Sequence, residues 1–316
     1  MVLYHWINYF IGPDWAYYRY LRFLTPSFIF VTGFMVSHVY LSKYNAADPR
    51  LSKRLFTRGL KLLAIFLVLN LARTYIVPLL GTGVVSQSLL APRNLFTVFV
   101  SGNVPIVGGK LVSFSILLPI SYLLMLSGIL MLPYRVFRYT FHGVCVLLLL
   151  SIFALGLAGV DSPNLDLLTI GMLGVLSGFM SIAAINDFVR HLYLLALAYL
   201  GYTIAITIWN VPFILQLVGV PLSLMAIYLV GITGSNSGVV RNEVVLLGKY
   251  SLFGYISQIA ILQILAAAFR HTEPGVALLL LSFLAAFGLT IASVEVVDRL
   301  RARVAGLDSL YKLVFA

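Results

Sequence analysis

A chain of 316 residues that is 61% hydrophobic and 10% charged, with a mean hydropathy of +1.03, has too few polar side chains to cover a water-exposed globule. A soluble domain is about one quarter charged. The net charge of +11 does not indicate nucleic acid as a partner, because the Lys and Arg residues lie between apolar runs rather than on one soluble face.

Those runs are about 20 residues long, enough to cross a hydrocarbon core roughly 30 Å thick. A transmembrane barrel would instead show alternating segments of about ten residues. The expectation is an all-α, polytopic transmembrane bundle in the lipid bilayer, one integral-membrane domain over 1–316. Met1 to Gly12 are apolar and helix-like, but twelve residues reach only about 18 Å, so they read as the second half of a first helix. A start in mid-membrane would leave backbone groups unpaired, and the beginning of that helix is expected upstream of Met1. Nine complete spans follow, at 23–42, 59–80, 111–132, 141–160, 167–186, 191–210, 213–234, 244–269 and 276–297.

Orientation follows from the basic residues, since cytoplasmic connections carry their excess. The 43–61 connection holds Lys43, Arg50, Lys53, Arg54, Arg58 and Lys61 and is assigned to the cytoplasm. Alternating from there places 15 of the 21 Lys and Arg residues inside, the C-terminal tail included. Connections are short except 81–110, an external, Gly-rich segment that reads either as a surface loop or as a lid over an external site. Cys145 is the single cysteine, so there is no disulfide framework.

Ionisable groups within spans carry the functional information, because each is costly unless it meets a partner or a water-filled cavity. His5 lies in the half-helix with Asn8 at i+3. It is either a packing residue or a general base, the usual role of an imidazole that titrates near neutrality. Arg73, three residues after Asn70, either binds an anion in a cavity or snorkels to the outer interface. Ser251, Tyr255 and Gln258 are spaced i, i+4, i+7, a polar stripe for interhelical hydrogen bonds or for a polar cavity. Gly171, Gly174 and Gly178 suit close helix packing. Glu295 and Asp298, followed by Arg299, Arg301 and Arg303, form an ion-pair cluster at an interface. Every Asp and Glu lies in a connection or near a span end, which disfavours a carboxylate-driven carrier. No phosphate-binding Gly-rich loop, zinc-protease motif or Gly-x-Ser-x-Gly elbow is present.

Three segments occur in a familiar order. They are His5 in the first helix, then Leu24-Thr25-Pro26-Ser27-Phe28-Ile29-Phe30-Val31-Thr32-Gly33-Phe34, then Lys53-Arg54-Leu55-Phe56-Thr57-Arg58-Gly59-Leu60-Lys61. Together with Leu246-Leu247-Gly248-Lys249-Tyr250-Ser251-Leu252-Phe253-Gly254-Tyr255-Ile256-Ser257-Gln258, they make the chain resemble the membrane acyltransferase family 3 superfamily over essentially its whole length. Relatives in that superfamily include the periplasmic glucan succinyltransferases and heparan glucosaminide N-acetyltransferases. Two features depart from the pattern. The Arg usually found about ten residues before the first-helix His would fall before Met1. The Arg-x-x-Arg pair reads Arg58-x-x-Lys61, and Lys offers phosphate a point charge rather than a bidentate fork.

The resemblance implies an enzyme of a bacterial cytoplasmic membrane that moves an acetyl or succinyl group from cytoplasmic acyl-CoA to a hydroxyl or amine of an extracytoplasmic carbohydrate. His5 would be the catalytic residue, and Arg54, Arg58 and Lys61 the binding groups for the CoA phosphates. Asn8, Arg73, Ser251, Tyr255 and Gln258 would line the acceptor cavity. Acyl-CoA enters as co-substrate, with no permanently bound cofactor. Two other readings stand beside this one: a transporter or flippase for a small polar or lipid-linked molecule, and a membrane anchor subunit.

Overall fold

In lipid every backbone N–H and C=O must be satisfied within its own segment, so long runs of Leu, Ile, Val, Phe and Ala fold as helices. The computed structural model describes residues 1–12, 15–41, 49–79, 92–102, 113–209, 213–233, 238–269 and 275–315. All regular structure among them is helical. Helix α1 (Val2–Phe10) is followed by a 3-10 segment (Ala16–Leu21). Helix α2 (Leu24–Met35) continues into a π-helical stretch (Val36–Leu41), then come α3 (Pro49–Leu79) and α4 (Pro92–Phe96), the latter with its own π extension (Thr97–Ser101). The chain proceeds through α5 (Leu117–Tyr134), α6 (Thr140–Leu157), α7 (Pro163–Ser177), α8 (Ile182–Arg190), α9 (Leu192–Trp209) and α10 (Phe213–Thr233). It closes with α11 (Gly238–Lys249), α12 (Ser251–Ala268), α13 (Val276–Arg303) and α14 (Ala305–Phe315).

Among the described residues, eight helical segments are long and apolar enough to cross a membrane, and α7 with α8 makes a ninth if that bent pair is one span. The chain is an all-α polytopic membrane protein, as expected. Four boundaries differ from the expected ones. The run at 167–186 is not straight: α7 ends at Ser177 and α8 leaves it at 100°. Ser181 caps α8 by accepting from the Ala184 N–H at 3.1 Å, and a capped new N-terminus favours a restart over continuation. The run at 244–269 is two helices, broken at Tyr250, whose backbone leaves helical geometry. Helix α3 begins at Pro49, so Arg50, Lys53, Arg54, Arg58 and Lys61 lie on its first turns rather than in a connection. The last helix runs on to Arg303. Lys43 and most of the 81–110 segment lie outside the described residues.

The chain divides into two compact units. One comprises Met1–Leu24, Ile206–Asn210 and Leu224–Ala316, and the other Thr25–Ala205 and Val211–Ser223. In the second, α3 packs along α5 with glycines at the crossing. A Cβ at Gly128 would lie 2.9 Å from both Ser52 O and Phe56 N, and the Ser52 hydroxyl donates to Gly128 O at 2.5 Å. Gly33 on α2 meets the α7 backbone at Gly171, and Gly174 meets Phe30 O, leaving no room for a methyl at either. The π stretch after α4 ends at Gly102, whose φ of +76° favours glycine and lets its N–H reach Thr97 O at 2.8 Å. Tyr122 OH donates to Phe99 O at 2.9 Å and Asn164 Nδ2 to Val98 O at 2.8 Å, fixing that stretch to α5 and α7.

In the first unit, Trp6, Ile7, Tyr18, Leu262 and Ala286 form a buried cluster joining α1 to α12 and α13. The Trp6 indole N–H donates to Ser282 Oγ at 2.8 Å. Helix α14 is tied to α13 at its polar face. Arg301 donates to Asp308 Oδ1 at 2.6 Å and to Tyr250 OH at 3.0 Å, with its guanidinium 3.9 Å from the Tyr311 ring centre.

Candidate functional site

Helix α1 has too few residues to span a bilayer and contains no Asp or Glu, so its polar character comes from His5, Asn8, Tyr4 and Tyr9. Trp6 and Ile7 face the buried cluster. That anchor turns His5 toward α12, where its ring lies 5.7 Å, centre to centre, from the Tyr255 ring at an angle of 57°. Tyr4 meets His5 edge-on at 5.2 Å and stacks on buried Tyr18 at 5.0 Å, so the imidazole is held between aromatic rings from α1 and α12.

Tyr255 and Gln258 are 7% and 3% exposed and lie one turn apart on α12, with Leu262 of the buried cluster one turn further on the same face. Gln263, on an adjacent stripe, donates through Nε2 to Tyr9 OH at 3.2 Å, a second polar link between α1 and α12. Asn8 is half-buried on α1. Ser251, at the start of α12, is exposed, so the stripe reads as two buried polar residues and an exposed one. Like α1, α12 contains no carboxylate. The site is an uncharged, aromatic-lined face of imidazole, phenol and amide groups, suited to moving a proton and directing neutral hydrogen bonds.

The other expected site residues belong to the second unit. Arg54, Arg58 and Lys61 follow one another at i, i+4, i+7 on α3. Arg54 is exposed, Lys61 is half-buried, and the Arg58 guanidinium lies 5.3 Å from the Tyr40 ring centre. Arg73 is half-buried further along α3. Its neighbour Asn70 is engaged structurally, donating through Nδ2 to Phe66 O at 2.9 Å and accepting from the Ser113 N–H at 2.8 Å.

The acid–base cluster at the end of α13 extends further than its sequence neighbours. Arg299 pairs with Glu295 at 2.7 Å, while Asp298 accepts from Lys249 at 2.9 Å and from Tyr250 OH at 2.6 Å. The hydrogen bond to Asp298 raises the Lys249 pKa. Loss of hydration, then the bond to Asp298, pushes the Tyr250 phenol up. Hydrogen bonds from Lys312 and then Arg301 hold the Asp308 carboxyl below its ordinary value of 3.8.

Tyr4 and Tyr9 are polar residues of the half-helix that the sequence places beside His5; sequence reasoning missed Tyr18, Gln263, Tyr250 and Asp308 as partners of the site and the cluster. The dense aromatic run Tyr17-Tyr18-Arg19-Tyr20 was a usable signal for Tyr18. Nothing local signalled Gln263, whose partner is 254 residues away. No protein family, curated protein or solved structure matches the chain.

Proposed function

We propose that this chain is a membrane acyltransferase that moves an acetyl or succinyl group from cytoplasmic acyl-CoA to a hydroxyl or amine of an extracytoplasmic glycan. One observation carries the reading. The His5 ring lies against Tyr255 with Gln258 one turn away, so residues from two of the segments that carry the resemblance to the acyltransferase superfamily come together on one polar face. His5 takes the acceptor's proton as its oxygen or nitrogen attacks the acyl carbonyl carbon. The C–S bond of the thioester then breaks, and the departing thiolate recovers that proton from the imidazolium. Arg54, Arg58 and Lys61 hold the CoA phosphates through charge-assisted hydrogen bonds. The enzyme belongs to a cytoplasmic membrane of bacterial type, with the basic first turns of α3 and the C-terminus inside.

The test is acyl transfer from labelled acetyl-CoA and succinyl-CoA by membranes carrying the full chain. His5→Gln keeps bulk and hydrogen bonding but has no useful pKa, so the rate should fall about 10²- to 10⁴-fold while protein abundance holds. Full transfer by His5→Gln would remove the assignment.

A second reading, a transporter or flippase, has its own support in the α7–α8 pair. A helix broken by 100° within an otherwise span-like apolar run is a common feature of transporter substrate sites. Uptake or lipid translocation by the chain in vesicles without acyl-CoA would put that reading first.

A further inference from the structure

We infer that the Gln258 carboxamide donates a hydrogen bond to the carbonyl oxygen of the acyl group being transferred, a role that rests on the acyltransferase reading of His5. Gln258 is 3% exposed, and its Nε2 has no hydrogen-bond partner among the described residues. Most buried side-chain polar atoms in folded proteins have a partner, and a catalytic role is one of the recognised reasons for an exception. The other amide of the helix behaves differently, since Gln263 Nε2 donates to Tyr9 OH.

Direction follows from position. Tyr255, three residues before Gln258, touches the His5 ring, and Leu262, four residues after it, packs with Trp6 and Ile7. Gln258 lies between them on the face of α12 turned toward α1, one helical turn from the tyrosine beside His5. Neither α1 nor α12 carries a carboxylate, so neither helix sets a negative charge beside the amide.

Acyl transfer creates such charge. As the acceptor oxygen or nitrogen bonds to the carbonyl carbon, its proton passes to His5 and the carbonyl π pair moves onto oxygen. When that pair returns, the C–S bond breaks and the thiolate takes the proton back. A donor fixed in place before the reaction stabilises the oxyanion without reorganisation. Amide side chains serve this purpose in other acyl-transfer enzymes, where loss of one donor slows the reaction about 10²- to 10³-fold.

The experiment compares Gln258→Met with the parent chain in two readouts. Met fills similar volume and cannot donate. Transfer from labelled acetyl-CoA or succinyl-CoA should fall about 10²- to 10³-fold, with acetyl-CoA binding unchanged. The melting temperature of the ligand-free protein in detergent should rise, because removal of a buried donor without an acceptor relieves a desolvation cost. Undiminished transfer by Gln258→Met, alongside inactive His5→Gln, would overturn the carbonyl role alone. A lower melting temperature would also overturn it, by showing that the amide supports the fold. Absence of transfer by the parent chain, assayed with its first helix completed upstream of Met1, would remove the acyltransferase reading and this role with it.

Discussion

Trp6 joins α1 to α13 through one buried hydrogen bond and a set of ring contacts, edge-on with Phe283 at 5.5 Å and stacked near Phe10 at 6.0 Å. Position on α1 decides where His5 points, so the indole acts as a brace for the imidazole one residue away. Ser282→Ala deletes the acceptor and leaves the indole N–H buried, which should cost about 1–3 kcal/mol in thermal unfolding. Trp6→Phe in the Ser282→Ala background should recover part of that loss, because it removes the stranded donor. A neutral Ser282→Ala would show that the hydrogen bond contributes nothing. At this scale the sequence marked His5, Tyr255 and Gln258 because polar side chains in apolar runs are conspicuous. It could not show that Tyr4, Tyr18 and Tyr9 would gather around them. Tyrosine is ordinary near a membrane surface, and its partners here are set by tertiary packing.

Among the elements, α14 is held beside α13 by charge at Asp308 and by ring contacts of Tyr311 and Phe315. Arg301 bridges Tyr250, at the break between α11 and α12, and Asp308 on α14, so one guanidinium ties three segments together. The Asp308 carboxyl is held below its ordinary 3.8 by Lys312 and Arg301. A depressed carboxylate stabilises above the unfolded value, and its contribution is lost as pH falls through the folded one. A nitroxide at Leu313→Cys should therefore report an immobile helix between about pH 5 and 8 and a mobile one only below about pH 4. Asp308→Asn should mobilise it throughout. Release near pH 6 in the parent chain would exclude Asp308 as the controlling group. The long spans were legible from apolar length, while the breaks at Gly178–Ser181 and Tyr250 were not. Hydropathy averages over a window, and both interruptions are made of residues compatible with a continuous helix. Their partners lie elsewhere in the chain: Ser37 of the π stretch after α2 at the first break, Asp298 and Arg301 at the second.

For the molecule as a whole, fifteen of the 21 basic residues fall on the side expected to be cytoplasmic, and the proposed orientation predicts a labelling pattern. Cysteines placed at two exposed positions, Val136 in the turn after α5 and Ser309 on α14, should be shielded from an impermeant thiol reagent in intact cells. One at exposed Asp161, before α7, should react. Labelling of Val136→Cys from outside would reverse the proposed orientation and with it the proposed cytoplasmic donor site. The division into two units was invisible in the sequence, because every span has nearly the same apolar composition and pairing is decided by glycine contacts such as Gly33 with Gly171.

The elbow after α7 has a bearing on biogenesis. The Ser37 hydroxyl donates to Val175 O at 2.5 Å and His38 Nδ1 donates to Gly178 O at 3.3 Å, so the carbonyls of the interrupted helix are met by side chains of the π stretch that follows α2. Ser37 and His38 precede α7 by more than a hundred residues and have already been synthesised when it emerges from the ribosome. The donors that make a sharp corner tolerable in lipid are thus made before the corner itself. A nascent chain lacking the Val36–Leu41 π stretch would present the same apolar run without the donors that meet its carbonyls, and the straight helix would be the lower-energy way to leave the translocon.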